Sequence, residues 1–281
     1  MRLNLIRVVL GWCLVTGATT QAQQRPLVTE DPETIGTGRL LVESGFDYRW
    51  DQRFAASGLE GDLWRAPLLG LSFGLGATAE LQIDGGFSRL SITDRTAAPL
   101  TGLLEVDGDH SSSAEDVVVA TKVRLIAETE SRPAFGVRFA TRLPNASNES
   151  GLGLDTTDFL VSMLAAKTAA SVRVVGNVGL GILGDPTSAT DQNDVLLYGV
   201  SFARALTNQA EVVAEVNGHV STRSGEPPAG TGSRSLVRLG TRYTLGPGRF
   251  DAALLFGLTS DEPQLGFAVG YTHVFNAFTT P

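Results

Sequence analysis

The sequence predicts an all-β protein, a single closed antiparallel transmembrane β-barrel of about twelve strands. The segment from Ala66 to Phe87 has the pattern of one β-hairpin: Glu80, Gln82 and Asp84 alternate with apolar residues on its second arm. Comparable alternating segments of roughly 10 to 13 residues recur along the chain, which suits a tilted bilayer crossing better than the mean strand of about 5 to 6. The connections between them alternate between short turns and longer polar loops, as in outer-membrane barrels.

The first 22 residues have the features of a secretory signal peptide. Arg2 and Arg7 precede an apolar run at residues 8–15, and Thr20 to Ala22 offers a small-residue cleavage site. The chain's single cysteine, Cys13, lies in this leader without the context of a lipoprotein signal. We therefore expect Sec-type export, no lipidation, and a mature chain without disulfides or thiolate metal sites.

Charge and hydropathy limit the remaining classes of protein. The leader removes two of the 22 basic residues and none of the 30 acidic ones, so the mature net charge is −10. An acidic exported protein is a poor nucleic-acid binder. Beyond residue 22 no apolar run approaches the about 18 residues of a transmembrane helix. Two folds remain, a soluble exported β protein and a membrane β-barrel.

The predicted domain organisation follows the alternation. Residues 1–22 are the signal peptide, 23–37 an extended N-terminal segment, 38–278 the barrel and 279–281 a tail. The predicted strands are 38–50, the two arms of 66–87, 116–127, the segment around 135–143, 157–167, 172–183, 195–206, 210–221, 236–245, 249–258 and 264–275. The predicted polar loops are 51–61, 93–115, 144–155, 184–194 and 222–233.

The alternation also predicts an orientation. Short turns and both termini would be periplasmic and the longer loops extracellular. The loops around residues 107–116, 144–155 and 225–232 would gate the mouth of the barrel.

Charged residues on the inward faces of the strands are the candidate functional residues. They predict a polar lumen in which charges tune permeation. The alternative is a lumen plugged by its own salt bridges, because about twelve strands enclose a space that side chains or loops can fill. The candidate lumen and selectivity residues are Glu43, Asp47, Glu80, Asp84, Lys122, Arg124, Arg138, Arg142, Arg173, Glu211, Glu215, Arg238 and Arg242.

Motifs for chemistry are weak in this chain. Gly179 to Gly184 matches GxGxxG, but a polar loop follows it where a dinucleotide site needs a helix. His219 with Asn217 and Ser221 is the nearest approach to the triad of an outer-membrane lipid hydrolase, yet these residues fall on the polar, lumen-facing side. The histidines lack ligand spacing. We expect no catalytic residue, no metal and no cofactor.

Six segments carry a resemblance to a known family. They are TEDPETIGTGRL, APLLGLSFGLGATAELQIDGGF, RPAFGVRFATRLP, DTTDFLVSMLAAKT, VGNVGLGILGD and FDAALLFGLTSDEPQLGFAVGYTHVF. Together they resemble the outer-membrane proteins of the phenol meta-pathway, or MetA-like, family over nearly the whole chain after the leader. Asp31 to Thr34 and Thr157 to Phe159 are its most specific parts. The chain departs from common barrels by ending on Thr279 to Pro281 after its last aromatic residue.

The resemblance implies an outer-membrane barrel linked to uptake of small, often aromatic or apolar, compounds. We expect a channel or porin-like protein for passive uptake in the outer membrane of a Gram-negative bacterium. Its expected partners are outer-membrane lipid and lipopolysaccharide, the barrel assembly machinery and a small-molecule permeant, without nucleic acid. The alternatives are a plugged structural or surface-interaction barrel and, less favoured, an outer-membrane lipid hydrolase.

Overall fold

A computed structural model describes residues 24–278. Its strands alternate apolar and polar side chains, so each has one face for a nonpolar surrounding and one for a polar interior. The first strands are β1 (Arg39–Phe54), β2 (Leu59–Gly74), β3 (Ala79–Arg95), β4 (His110–Ala114), β5 (Val117–Ile126), β6 (Ala134–Leu143) and β7 (Asp158–Ala169). The others are β8 (Val172–Asp185), β9 (Ser188–Ala205), β10 (Ala210–Ser221), β11 (Arg234–Leu245), β12 (Gly248–Gly257) and β13 (Leu265–Asn276).

Every strand pairs antiparallel with its neighbours, and the sheet closes on itself. Consecutive strands pair from β5 to β13, β13 pairs with β1, and β2 joins β1 to β3. Strands β4 and β5 both pair with β3 and form one strand interrupted at Glu115 and Asp116. The ring therefore has twelve strands, which confirms the predicted closed antiparallel barrel.

The outer face of the barrel is apolar and carries aromatic residues at two heights. Side chains such as Leu180 (60% exposed), Met163 and Phe159 point outward. Near the end that carries the longer loops, one aromatic cluster joins Phe46, Tyr48, Trp50, Trp64 and Phe267. Near the other end, a second cluster joins Phe250, Tyr271, His273 and Phe275. This distribution is typical of the two aromatic girdles that bound the lipid-facing band of outer-membrane barrels.

The two ends of the barrel differ, as predicted, although less sharply. At what we call the turn end, the connections are residues 75–78, 127–133, 170–171, 206–209 and 246–247. At the loop end they are 55–58, 96–109, 144–157, 186–187, 222–233 and 258–264. The hairpin of residues 66–87 is confirmed, with its turn at the turn end. Within residues 24–278 the one helical segment is a 3₁₀ turn at Thr101–Leu103, and no helix there is long and apolar enough to cross a membrane.

Three predicted loops were wrong in extent. Strand β1 continues to Phe54 and β2 starts at Leu59, so most of the predicted loop 51–61 belongs to a β-hairpin. Strand β9 starts at Ser188, inside the predicted loop 184–194. Strand β4 lies inside the predicted loop 93–115. These arms lie at the loop end. The arms of β4 and β9 consist mostly of polar residues that backbone pairing holds without an apolar face, so hydrophobic periodicity does not mark them. The arm of β1 and β2 instead contributes Phe54 and Leu59 to a buried cluster with Leu63 and Leu90.

Candidate functional site

All the predicted lumen residues lie on strands, on the faces opposite to the apolar outer surface. Asp47, Glu80, Lys122, Glu215, Arg238 and Arg242 are buried. Glu43, Asp84, Arg124, Arg138, Arg142, Arg173 and Glu211 are half-buried. The predicted basic and acidic groups therefore meet inside the barrel, and many of them pair with one another or with a second element that occupies the lumen.

That second element is the N-terminal segment, residues 24–37, which we call the strap. It forms no strand and lies inside the barrel, with Leu27 at 5% and Ile35 at 1% exposure. It approaches β1 at Gly38, whose N–H donates to the Gly74 carbonyl at the turn end of β2. The sequence predicted an extended N-terminal segment, but its position within the lumen was not predicted.

The most buried contact of the strap is a cluster around Glu30. Its carboxylate lies 3.3 Å from Lys122 Nζ and 3.0 Å from Arg138 Nε. Lys122 also lies 2.9 Å from Glu80, and its side chain has no exposed surface. Burial raises the pKa of Glu30, but the charges of Lys122 and Arg138 outweigh burial, so that the pKa lies below its ordinary value. The strap is thus held by an ionised carboxylate.

The next strap residues bind the turn-end half of the wall. Asp31 accepts two hydrogen bonds from the Arg173 guanidinium, one of them 2.6 Å long, and Glu33 pairs with Arg124. The Ile35 N–H donates to Glu80 Oε2 at 2.8 Å. Two-pronged contacts between arginine and carboxylate fix geometry as well as charge. The strap therefore has a defined path along the lumen wall.

The start of the strap binds the opposite side of the barrel. The N–H groups of Val28 and Thr29 donate to the Glu215 carboxylate, with Val28 N to Oε2 at 2.9 Å. Arg242 donates to the carbonyl of Gln24 at 2.6 Å and to that of Arg25 at 2.8 Å. The strap consequently spans the lumen from β11 to β3.

Glycines in the wall make room for the strap. A Cβ at Gly45 or Gly270 would collide with the Arg25 guanidinium, and these two glycines are direct partners across the β1–β13 pair. A Cβ at Gly199 would lie 2.8 Å from Thr29 Oγ1, and one at Gly136 would lie 3.1 Å from Pro32 Cβ. Gly in a strand interior often marks such a close approach of another backbone.

A cavity of about 630 Å³ lies in the lumen beside the strap. Strap residues 24–28 and Glu30 form one side of it, and wall residues of β1–β3, β5, β6 and β11 form others. Apolar side chains toward the loop end, among them Phe54, Leu63 and Leu152, also line it. The space is large enough for a small organic molecule and has both charged and apolar walls.

Two charged groups that line this cavity have no hydrogen-bond or ion-pair partner within the described residues. They are Asp84 on β3 and Arg234 on β11. Asp84 faces Glu43 across Gly70, where a Cβ would come within 2.9 Å of Asp84 Oδ1 and 3.4 Å of Glu43 Oε2. Arg234 was not among the predicted lumen residues because it falls at the boundary between a predicted loop and β11.

The longer loops fold over the loop end of the barrel. Ser57 Oγ donates to the Gly151 carbonyl at 2.7 Å, and Glu105 N donates to the Glu149 carbonyl at 2.9 Å. Beneath them Leu59, Leu63 and Leu90 form a buried cluster with Leu104 and Leu152. The loops thus narrow the entrance to the cavity from that side.

The candidate catalytic residues do not form a triad. His219 Nε2 lies 2.8 Å from the Gly232 carbonyl, Ser221 Oγ donates to Asn193 at 3.1 Å, and Asn217 accepts from Arg238. Residues 179–184 lie within β8, without the helix that a dinucleotide site needs. Among residues 24–278 there is no group of three or more His, Cys, Asp or Glu side chains able to hold a metal ion.

Solved structures share the fold of this chain at low sequence identity. The NanC porin is 9% identical, with a TM-score of 0.50 over 83% of this chain and 98% of that one. The translocator domain of the autotransporter NalP from Neisseria meningitidis is 13% identical, with a TM-score of 0.48 over 84% and 87% of the two chains. The CymD monoaromatic hydrocarbon channel is 11% identical, with a TM-score of 0.46 over 85% and 89%. The likeness to NanC supports the barrel fold alone.

Sequence comparison places the chain more specifically. No curated protein matches it. A family profile described as "Putative MetA-pathway of phenol degradation" matches residues 23–275, which confirms the resemblance seen in the six segments. With a match over nearly the whole barrel and strap, the chain belongs to this family of the MetA pathway of phenol degradation.

Proposed function

We propose that the protein is an outer-membrane channel for the passive passage of small molecules. The observation that carries the proposal is the cavity of about 630 Å³ inside a closed barrel whose outer face is apolar. An apolar band between aromatic girdles suits residence in a bilayer, and a polar interior suits a solute path. Export by the Sec route, through the leader at residues 1–22, would deliver the chain to the outer membrane of a Gram-negative bacterium.

The permeants that we propose are small, aromatic or hydrophobic compounds. Membership in a family named for phenol degradation supports this class. The apolar side chains of Phe54, Leu63 and Leu152 can contact a nonpolar group of the permeant, while the charged wall of the cavity can bind its polar substituents. The predicted lumen charges would then influence which solutes pass. No bond is made or broken in this function.

Solute flux tests the proposal. The mature chain is refolded into liposomes, and its folding is checked by heat-modifiable gel mobility. The liposomes are loaded with benzenesulfonate, a small arene that does not cross lipid unaided. We expect efflux faster than from protein-free liposomes and retention of a dextran of about 10 kDa, which is far larger than the cavity of about 630 Å³. A folded barrel that passes neither benzenesulfonate nor potassium chloride, even without the strap, would overturn the channel function.

A second candidate is a structural or surface-interaction barrel without transport. The strap favours it, because this segment crosses the lumen and pairs with its charged wall. For either function the proposed partners are outer-membrane lipid, lipopolysaccharide and the barrel assembly machinery. The same flux experiment separates the two candidates, since a structural barrel gives no efflux in any form.

A further inference from the structure

The wall residues that bind the strap also bind one another. Lys122 contacts Glu30 of the strap and, at 2.9 Å, Glu80 of the wall. Arg138 Nε contacts Glu30 and, at 2.8 Å, the Gln82 side-chain oxygen of the wall. If Glu30 left, both cations would keep a partner.

The same arrangement holds on the other side of the lumen. Glu215 accepts from strap N–H groups and also from Arg238 Nη1 at 2.9 Å. Arg173 pairs with Asp31 of the strap and, at 2.9 Å, with Glu128 of the wall. Arg242 binds strap carbonyls and lies 3.6 Å from Glu211.

One contact has a weaker substitute. Arg124 pairs with Glu33 of the strap, and its other contact is the Ala77 carbonyl at 3.0 Å. Its side chain is 22% exposed, so water can replace the carboxylate. Breaking a buried ion pair is costly when it leaves one charge unpaired. Because the wall groups named above keep a wall or water partner, that cost is small for them when the strap is released. Asp251 on β12 is the exception, since its ion pair within the described residues is with Arg25 of the strap, at 3.4 Å.

The strap is also separable from the barrel by its backbone. Residues 24–37 belong to no strand, whereas the ring closes through pairs between wall strands alone. The strap's Glu30, Asp31 and Glu33 would become hydrated on release. The barrel and the strap therefore form two units that side-chain contacts join, an arrangement that allows two discrete states.

We propose that the strap is a gate of the lumen, and that Lys122, Arg138, Arg173 and Glu215 are positioning residues that hold it in the closed state. This proposal rests on the channel function proposed above. In the closed state the strap crosses the lumen beside the cavity. In the open state it leaves its contacts, the wall groups retain their own pairs, and a solute passes from the cavity to the turn end.

An engineered disulfide tests the gate directly. Thr29 Cβ lies 3.5 Å from the position of a Cβ on Gly199, within the range of about 3.5–4.5 Å found in disulfides. The chain has no other cysteine beyond Cys13 of the leader, so Thr29→Cys with Gly199→Cys gives one defined bond. The matched control is the Thr29→Cys single variant under the same oxidation and reduction.

We expect the oxidised double variant to show neither benzenesulfonate efflux nor potassium chloride conductance. Reduction of the disulfide should restore both. The single variant should respond to neither treatment. Equal flux in the oxidised and reduced states, with the disulfide verified by loss of free thiol, would overturn the gate and leave the channel function standing. Absence of flux from every form, including a variant lacking residues 23–37, would instead overturn the channel function.

Thiol labelling gives a second measurement that does not depend on flux. Leu27 of the strap is 5% exposed inside the barrel, so a Leu27→Cys thiol is unreactive toward a water-soluble maleimide while the strap is closed. We expect slow but complete labelling of the folded barrel, and little labelling of Ala56→Cys, a residue 3% exposed under the loops. A Leu27→Cys thiol that stays unlabelled would overturn the gate.

Discussion

Lys122 and Glu80 form an ion pair of 2.9 Å between β5 and β3, and Glu80 is as fully buried as the lysine. The pair lies where the strap's Glu30 enters from the other side, at 3.3 Å. A buried ion pair contributes little net stability, but loss of one partner leaves an unpaired buried charge. Lys122 is therefore the residue at which the wall and the strap are most sensitive to substitution.

Lys122→Met should destabilise the folded barrel by about 3–5 kcal/mol, because it leaves Glu80 buried without a cation and leaves Glu30 with Arg138 alone. Urea unfolding in lipid vesicles, followed by heat-modifiable gel mobility, measures this change. The matched control is Lys167→Met at the only other lysine, which is 34% exposed and pairs with Glu128. Lys167→Met should lower the free energy of unfolding by less than about 1 kcal/mol. Equal effects would contradict the central role of the Lys122 cluster.

Exchange of the charges in the Glu33 and Arg124 pair should affect closure of the strap. Glu33→Arg places two cations against each other and should increase potassium chloride conductance through the barrel. Glu33→Arg combined with Arg124→Glu restores the pair and should return conductance toward that of the unaltered chain. A double variant as conductive as Glu33→Arg would show that this ion pair does not hold the strap.

Asp84 should influence ion selectivity more than its neighbour Glu80. Asp84 lines the cavity without a partner in the described part of the chain, whereas Glu80 is neutralised by Lys122. In the strap-free barrel, Asp84→Lys should shift the reversal potential in a potassium chloride gradient toward anion preference. Ser72→Lys, on the neighbouring strand near the turn end, is the control for added charge. An unchanged reversal potential for Asp84→Lys would exclude this residue from the ion path.

A charged residue on the outward face of the barrel should destabilise folding by an amount that depends on its depth in the bilayer. Ile83→Lys places an ammonium group on the outer face of β3, away from the turn end, and should destabilise folding into vesicles by about 2–4 kcal/mol. Leu245→Lys, at the turn end of β11, should cost about 0–1 kcal/mol because an interfacial lysine reaches water. Equal folding yields and unfolding midpoints for the two variants would contradict the assignment of this face to lipid.

The gate should open as the pH falls. The pKa of Glu30 is lowered in the closed state, so ionised Glu30 stabilises that state at pH values above its ordinary pKa of 4.5. This stabilisation is lost as the pH falls through the lowered pKa. Conductance should therefore rise in this acidic range. Glu30→Gln should already conduct more at neutral pH and change less on acidification. The groups around Glu30 are Lys122, Glu80, Gln82, Arg138, Asn177 and Asp84.

The sequence predicts the barrel well because the pattern that marks each strand lies within that strand's own residues. Apolar residues every second position, as in β8 and β12, indicate which face meets lipid without knowledge of any partner. Inward charges follow from the same alternation. The polar arms around Ser188 and His110 carry no such signal, which is why they were predicted as loops.

The strap shows where local information ends. Residues 24–37 have no periodicity, and their place in the lumen depends on Lys122, Arg173 and Glu215, which are far away in the chain. One signal was present: Glu30, Asp31 and Glu33 supply acidic charge next to a barrel whose predicted interior holds basic residues on four strands. Pairing of these two sets was a possible inference from charge alone.

Arg25 lies over Gly45 and Gly270, which face each other in the pair between the first and the last strand. Its guanidinium also donates to the Val269 carbonyl at 2.9 Å. This position exists only where β1 and β13 are paired, because each strand supplies one of the two glycines. The contacts of Arg25 therefore depend on a closed ring, and an unpaired first or last strand offers only half of this binding place.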